Sequence, residues 1–136
     1  MSHITSMIET HPLDTGSVDP AVLAECIAAC FDCAATCTAC ADACLAEDSV
    51  AALRACIRMN LNCADICLAT GQVLPRLESD PSVLSALLEA CRTACAACAV
   101  ECEQHAGHHE HCKVCAEECR RCEKACADML AALGQR

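Results

Sequence analysis

Residues 26–44 read CIAACFDCAATCTACADAC, with cysteines at Cys26, Cys30, Cys33, Cys37, Cys40 and Cys44. The intervals alternate four and three without a break. That is the a/d spacing of a heptad, so on an α-helix all six side chains occupy one stripe, and such a stripe faces a bundle interior. Working outward, residues 112–126, CKVCAEECRRCEKAC, repeat the pattern with Cys112, Cys115, Cys119, Cys122 and Cys126, continued by Met129 and Leu133. A third stripe carries Cys91, Cys95, Cys98 and Cys102, preceded by Leu84 and Leu88. The fourth is sparser, with Cys56, Cys63 and Cys67, and with Met59 and Asn60 in the gap. Ala, Asp, Glu, Arg and Lys fill the positions between, as an outer face requires.

Helix punctuation brackets these stripes. Asp19-Pro20 and Asp80-Pro81 are each an N-cap followed by proline in the first turn, and Asp48-Ser49 offers another cap. Gly71, Gly107 and Gly134 stand where helix C-termini would end. The segments between are rich in Ala, Leu and Glu and poor in β-branched residues. Helices are therefore expected over 20–46, 49–71, 81–105 and 108–133. Each of roughly 25 residues would run near 38 Å. The short links at 46–49 and 105–108 make each flanking pair antiparallel neighbours, while Pro75 and the polar run Glu78 to Asp80 mark the longer link. The expected fold is all-α, an antiparallel four-helix bundle with a cysteine-lined core over residues 19–136. Residues 1–18 are an N-terminal extension, either a short helical turn around Ile4 to Glu9 or a segment of low order.

At 136 residues there is one domain's worth of chain. With one Phe and no Trp or Tyr, the side chains that usually supply most buried area are nearly absent. Eighteen cysteines replace them, above the roughly 8–10 percent at which a short chain reads as a disulfide scaffold or a metal binder. Compartment separates these two. The opening MSHITSMIETHPLDTGS carries no basic start, apolar run or twin-arginine pair, so a cytoplasmic chain with reduced thiols is expected. A net charge of −10 disfavours nucleic acid. No membrane partner is expected either, because charges and cysteines interrupt every apolar stretch before the roughly 20 residues needed to span a bilayer. Catalytic motifs are missing as well: no Ser-His-Asp order, no HExxH, no glycine-rich phosphate loop. No enzyme is expected.

Thiolates are soft ligands, favouring Cu(I), Zn(II) or iron-sulfur clusters. Zinc and iron-sulfur sites gather four ligands from turns, whereas these cysteines ride on continuous helices with neighbours about 5–6 Å apart at Cβ. Two such sulfurs can grip one ion from opposite sides, which suits Cu(I). Charge argues the same way, since eighteen buried thiolates would carry an intolerable negative charge that roughly one Cu(I) per cysteine removes. Other readings of the stripes are cysteine as a small buried hydrophobe, a helical disulfide protein, or a zinc or iron-sulfur protein.

These runs, and the stretch from about 20 to 133, resemble the bacterial copper storage proteins, the Csp family. The resemblance implies a four-helix bundle filled with many Cu(I) ions, commonly a homotetramer, with copper admitted at one histidine-containing end. Lacking a leader, the sequence resembles the family's cytosolic branch. Candidate ligands are all eighteen cysteines, with Met59, His105, His108, His109 and His111. By stripe register His105, His108 and His109 reach the same end as Cys44 and Cys56, with Glu47, Asp48 and Met59 nearby. Val73, Leu74, Leu84, Leu87, Leu88, Met129 and Leu133 plug the other. Asn60, Glu47 and Asp48 read as capping or solvated residues, Arg120 and Arg121 as outer-face residues, and His3 and His11 as surface. The expected function is cytosolic Cu(I) storage and detoxification. The alternatives are a chaperone that hands copper to a partner and a zinc-stabilised structural protein; a donor chaperone is a possible partner of the store.

Overall fold

The computed structural model describes residues 2–134, and among them every regular element is helical. There are five α-helices where the sequence led to four: α1 (Ser2–Thr10), α2 (Pro20–Leu45), α3 (Arg54–Val73), α4 (Pro81–His105) and α5 (Glu110–Gly134). The additional helix is α1, which lays Ile4 and Ile8 against the core beside α2. The segment that follows it is also anchored, since Val18 is only 2% exposed.

Local chemistry sets the boundaries. Asp19 accepts from the Ala21 amide at 2.9 Å and Asp80 from the Ser82 amide at 2.8 Å, each capping a helix that begins with proline. The cap expected at Asp48-Ser49 does not form. Ser49 makes no capping bond, and a 3-10 turn over Val50–Leu53 leads into α3 instead. Nor does Gly71 end a helix. It is buried within α3, where an added Cβ would stand 3.2 Å from the Phe31 ring, so its role is close approach of α3 to α2.

The four long helices pack as a ring, with α2 on α3 and α5, and α4 on α3 and α5. Arg121 of α5 ties to Glu25 and Asp32 of α2 at 3.0 and 2.9 Å, and Arg120 reaches Glu103 of α4 at 2.9 Å. These outer clamps agree with the expected facing of both arginines. At one end Val18, Leu23, Leu74, Leu88 and Met129 are buried, with Leu84 and Leu133 packed against them.

By length and composition α2 and α4 could each cross a membrane, with mean hydropathy 1.5 and 1.6, contrary to the reading that no stretch was apolar enough. The difference lies in cysteine, which counts as apolar. All ten cysteines of these two helices are buried in the core.

Candidate metal site

All eighteen cysteines are free thiols, and none is more than 2% exposed. The four heptad stripes turn inward together, so sulfurs from all four long helices converge. Cys33 Sγ of α2 lies 3.9 Å from Cys63 on α3, 4.0 Å from Cys95 on α4 and 3.9 Å from Cys119 on α5. Cys67 stands 3.6 Å from both Cys91 and Cys95, and Cys37 stands 3.6 Å from Cys119. These are touching thiols, far outside the 2.0 Å of a disulfide bond. From Cys26 to Cys44 the column runs roughly 27 Å along the axis at 1.5 Å per residue.

The helices do more than pair sulfurs. Sets of four, among them Cys30, Cys91, Cys122 and Cys126, have ligand atoms all within 4.8 Å of one another. Helix-borne cysteines thus converge in fours as turn-borne ones do, and the set Cys33, Cys67, Cys95 and Cys122 takes one sulfur from each long helix. Charge then discriminates between ions. Four thiolates around a divalent ion leave two negative charges, and no lysine or arginine belongs to the buried core that would have to hold them. One Cu(I) per thiolate leaves none.

One level is not all sulfur. Asn60 is fully buried on the α3 stripe, at the midpoint of the spacing Cys56, Asn60, Cys63. Its Oδ1 accepts from the thiols of Cys98, Cys115 and Cys102 at 3.1, 3.3 and 3.5 Å, while its Nδ2 donates to Cys56 at 3.7 Å. The sequence reading made it a capping or solvated residue, although the four-then-three spacing was the available signal. Met59, named instead, is half-buried in a groove between α3 and α4 lined by Asn62, Ile66, Ala90 and Ala94.

The histidines divide at the end formed by the α2–α3 and α4–α5 connections. His111 Nδ1 lies 3.5 Å from Cys40 Sγ and 3.7 Å from Cys112 Sγ, and its Nε2 lies 2.8 Å from Glu47. His109 shares that carboxylate through Nδ1 at 2.8 Å, with its ring stacked 5.6 Å from that of His111. His105 turns back to Glu101 at 2.8 Å, and His108 is exposed. Among the four, His111 is thus the one brought to the thiols. Stripe register had favoured His105, His108 and His109, but α5 begins only at Glu110, so the heptad count does not carry through the turn. Burial pushes the Cys44 thiol up to about 11 and raises Cys112 as well. His111 sits above the ordinary imidazole value; burial opposes its charge, and Cys40 and Glu47 outweigh that opposition. Glu47 is held low, first by the His111 hydrogen bond.

The family model for copper storage proteins matches residues 20–131. Among solved structures, the copper storage protein Ccsp of Streptomyces lividans loaded with 10 copper equivalents is 53% identical, with a TM-score of 0.93, over 95% of this chain and 98% of that one. A structure of copper loading to a cytosolic copper storage protein from the same organism, with five coppers, is 57% identical, with a TM-score of 0.79, over 81% of this chain and 92% of that one. No curated protein matches.

Proposed function

The chain belongs to the copper storage protein family, and we propose that it stores many Cu(I) ions in the cytoplasm, about one per cysteine, inside an antiparallel four-helix bundle. The single observation that carries this is the unbroken column of buried, unbridged thiols contributed by all four long helices. A chaperone needs one or two ligand pairs at its surface; a column of eighteen sulfurs out of contact with solvent suits retention of many ions. Thiolates bridge successive ions, and the near-neutral product is tolerated where the bare thiolates would not be.

In this reading the eighteen cysteines hold copper, residues 19–136 form the storing domain, and residues 1–18 are an N-terminal extension. His111 receives copper at the open end, His109 and Glu47 support it, and the Leu and Met residues close the opposite end. Cytoplasmic placement is supported by the relative described as cytosolic. A homotetramer belongs to the same reading. Leu61 and Leu68, one heptad apart on the outer face of α3 and 46% and 43% exposed, give such an assembly an apolar strip to cover.

The test is a titration of reduced protein with Cu(I) against a chromophoric Cu(I) chelator. Well over ten equivalents per chain are expected. Saturation at four or fewer would remove storage and restore the chaperone reading.

A further inference from the structure

We propose that the four residues at the open end, Cys40, Cys44, Cys112 and His111, form a tetrahedral site for one Zn(II) ion, distinct in chemistry from the all-sulfur levels below. Their ligand atoms lie within 4.8 Å of one another, two from the last turns of α2 and two from the first turn of α5. Three sulfurs and one imidazole nitrogen are a zinc donor set. The distances fit that geometry. At Zn–S near 2.3 Å and Zn–N near 2.05 Å, a tetrahedral angle places sulfur and nitrogen about 3.6 Å apart, whereas donors on opposite sides of an ion would stand about 4.3 Å apart. The two separations found are 3.5 Å for Cys40 to His111 Nδ1 and 3.7 Å for Cys112 to His111 Nδ1.

The outer shell is present too. A histidine that binds zinc usually donates its other ring N–H to a carboxylate, which fixes the tautomer and the ring plane. Here Glu47 takes His111 Nε2 at 2.8 Å, leaving the Nδ1 lone pair directed at the thiols, and Glu47 is itself held by His109 Nδ1 at 2.8 Å. By contrast, the deeper sets Cys30/Cys91/Cys122/Cys126, Cys33/Cys37/Cys63/Cys119, Cys33/Cys67/Cys95/Cys122 and Cys37/Cys98/Cys115/Cys119 are sulfur alone.

Charge and access favour this level over the others. Binding releases to solvent the remaining thiol protons of Cys40, Cys44 and Cys112, together with the Nδ1 proton of His111 when that ring is charged, and forms three Zn–S bonds and one Zn–N bond, leaving one net negative charge beside water. A four-cysteine level would hold two negative charges in the dry core. His111 is 27% exposed and Glu47 32%, so a hydrated ion reaches the site, while the deeper sulfurs have no exposed surface. Zinc at this level would cap the column until Cu(I), which the thiolates prefer, displaces it.

The experiment uses the reduced, copper-free full chain titrated with Zn(II) against a chromophoric zinc chelator, with X-ray absorption of the sample at one equivalent and the electronic spectrum of its Co(II) counterpart. One equivalent should bind distinctly more tightly than any that follow, with three sulfurs near 2.3 Å and one nitrogen near 2.05 Å. The Co(II) form should show tetrahedral d–d bands. Glu47→Gln should weaken that equivalent by about 10- to 100-fold, and His111→Ala should remove the nitrogen scatterer. A sulfur-only shell at one equivalent, or several equivalents bound with equal strength, would overturn the proposal, and both are read on the unaltered protein. The Cu(I) count of the same preparation is a separate measurement, so failure of the zinc site and failure of copper storage are told apart.

Discussion

Cys98 donates its thiol proton to Asn60 Oδ1 across 3.1 Å, the shortest of three such contacts that join α4 and α5 to one amide on α3. A single buried amide thus receives three thiols where the α3 stripe lacks a cysteine. Among the described residues no buried side-chain nitrogen or oxygen is left without a partner, and Asn60 meets that condition through sulfur.

Thiols are weak donors, so packing should outweigh hydrogen bonding at this position. Asn60→Ala opens a cavity and should cost about 1–2 kcal/mol in the copper-free protein, whereas Asn60→Leu restores the volume and should recover most of that. Guanidinium unfolding under reducing conditions measures both. Equal losses in the two variants would mean that the amide contacts, not the volume, hold this level together.

The stripes were legible because heptad spacing is a local signal: once four and three alternate, the facing of Cys26 to Cys44 is settled by helix geometry alone. Asn60 was legible by the same count and was passed over because its residue type reads as a surface one. Gly71 was misread for a related reason, since a glycine near a helix end signals a cap unless the partner helix is known, and Phe31 lies 40 residues away in sequence. The position of His111 depended on where α5 begins after a turn, which no periodicity reports. Packing of α1 against α2 is likewise a tertiary outcome of Ile4 and Ile8 meeting an apolar groove.

The helices should form without copper. Two Asp-Pro caps, alanine-rich propensity and the apolar end around Leu23, Leu88 and Met129 do not involve a metal. Far-ultraviolet circular dichroism of the reduced, chelated protein should be strongly helical, and copper should raise the melting temperature by binding the native state alone. A random-coil spectrum without copper would make the metal a folding requirement instead.

A cap can be tested by itself. Asp19→Ala removes the acceptor of the Ala21 amide while leaving Pro20 in place, and should cost about 1 kcal/mol in chemical unfolding. Copper stoichiometry should not move, because Cys26 lies nearly two turns further along α2.

Close approach at Gly71 gives a graded prediction. An added Cβ would meet Phe31 Cε2 at 3.2 Å and Cys30 Cβ at 3.3 Å. For alanine, a small shift of the Phe31 ring is opposed by a helix-propensity gain of up to about 1 kcal/mol, so Gly71→Ala should be near neutral. Valine adds two methyl groups at the same contact, and Gly71→Val should cost about 1–3 kcal/mol. Equal melting temperatures for the two variants would show that α3 can move away from α2 at little cost.

His111 should control the rate of copper loading more than the amount. It touches Cys40 and Cys112 at the open end, while the thiols that set capacity lie below it, and an imidazole holds Cu(I) less strongly than a bridging thiolate. His111→Phe removes the nitrogen donor and should slow stopped-flow loading from a Cu(I) complex several-fold, with the total held within one or two ions of the parent. His108→Phe, at an exposed position in the turn, should leave the rate unchanged. Glu47→Gln weakens the acceptor that orients His111 and should slow loading by a smaller factor, with partial recovery in Glu47→Asp if orientation is the cause. Were all of these variants to load at the parent rate, copper would have to pass through the end closed by Leu74, Leu88 and Met129.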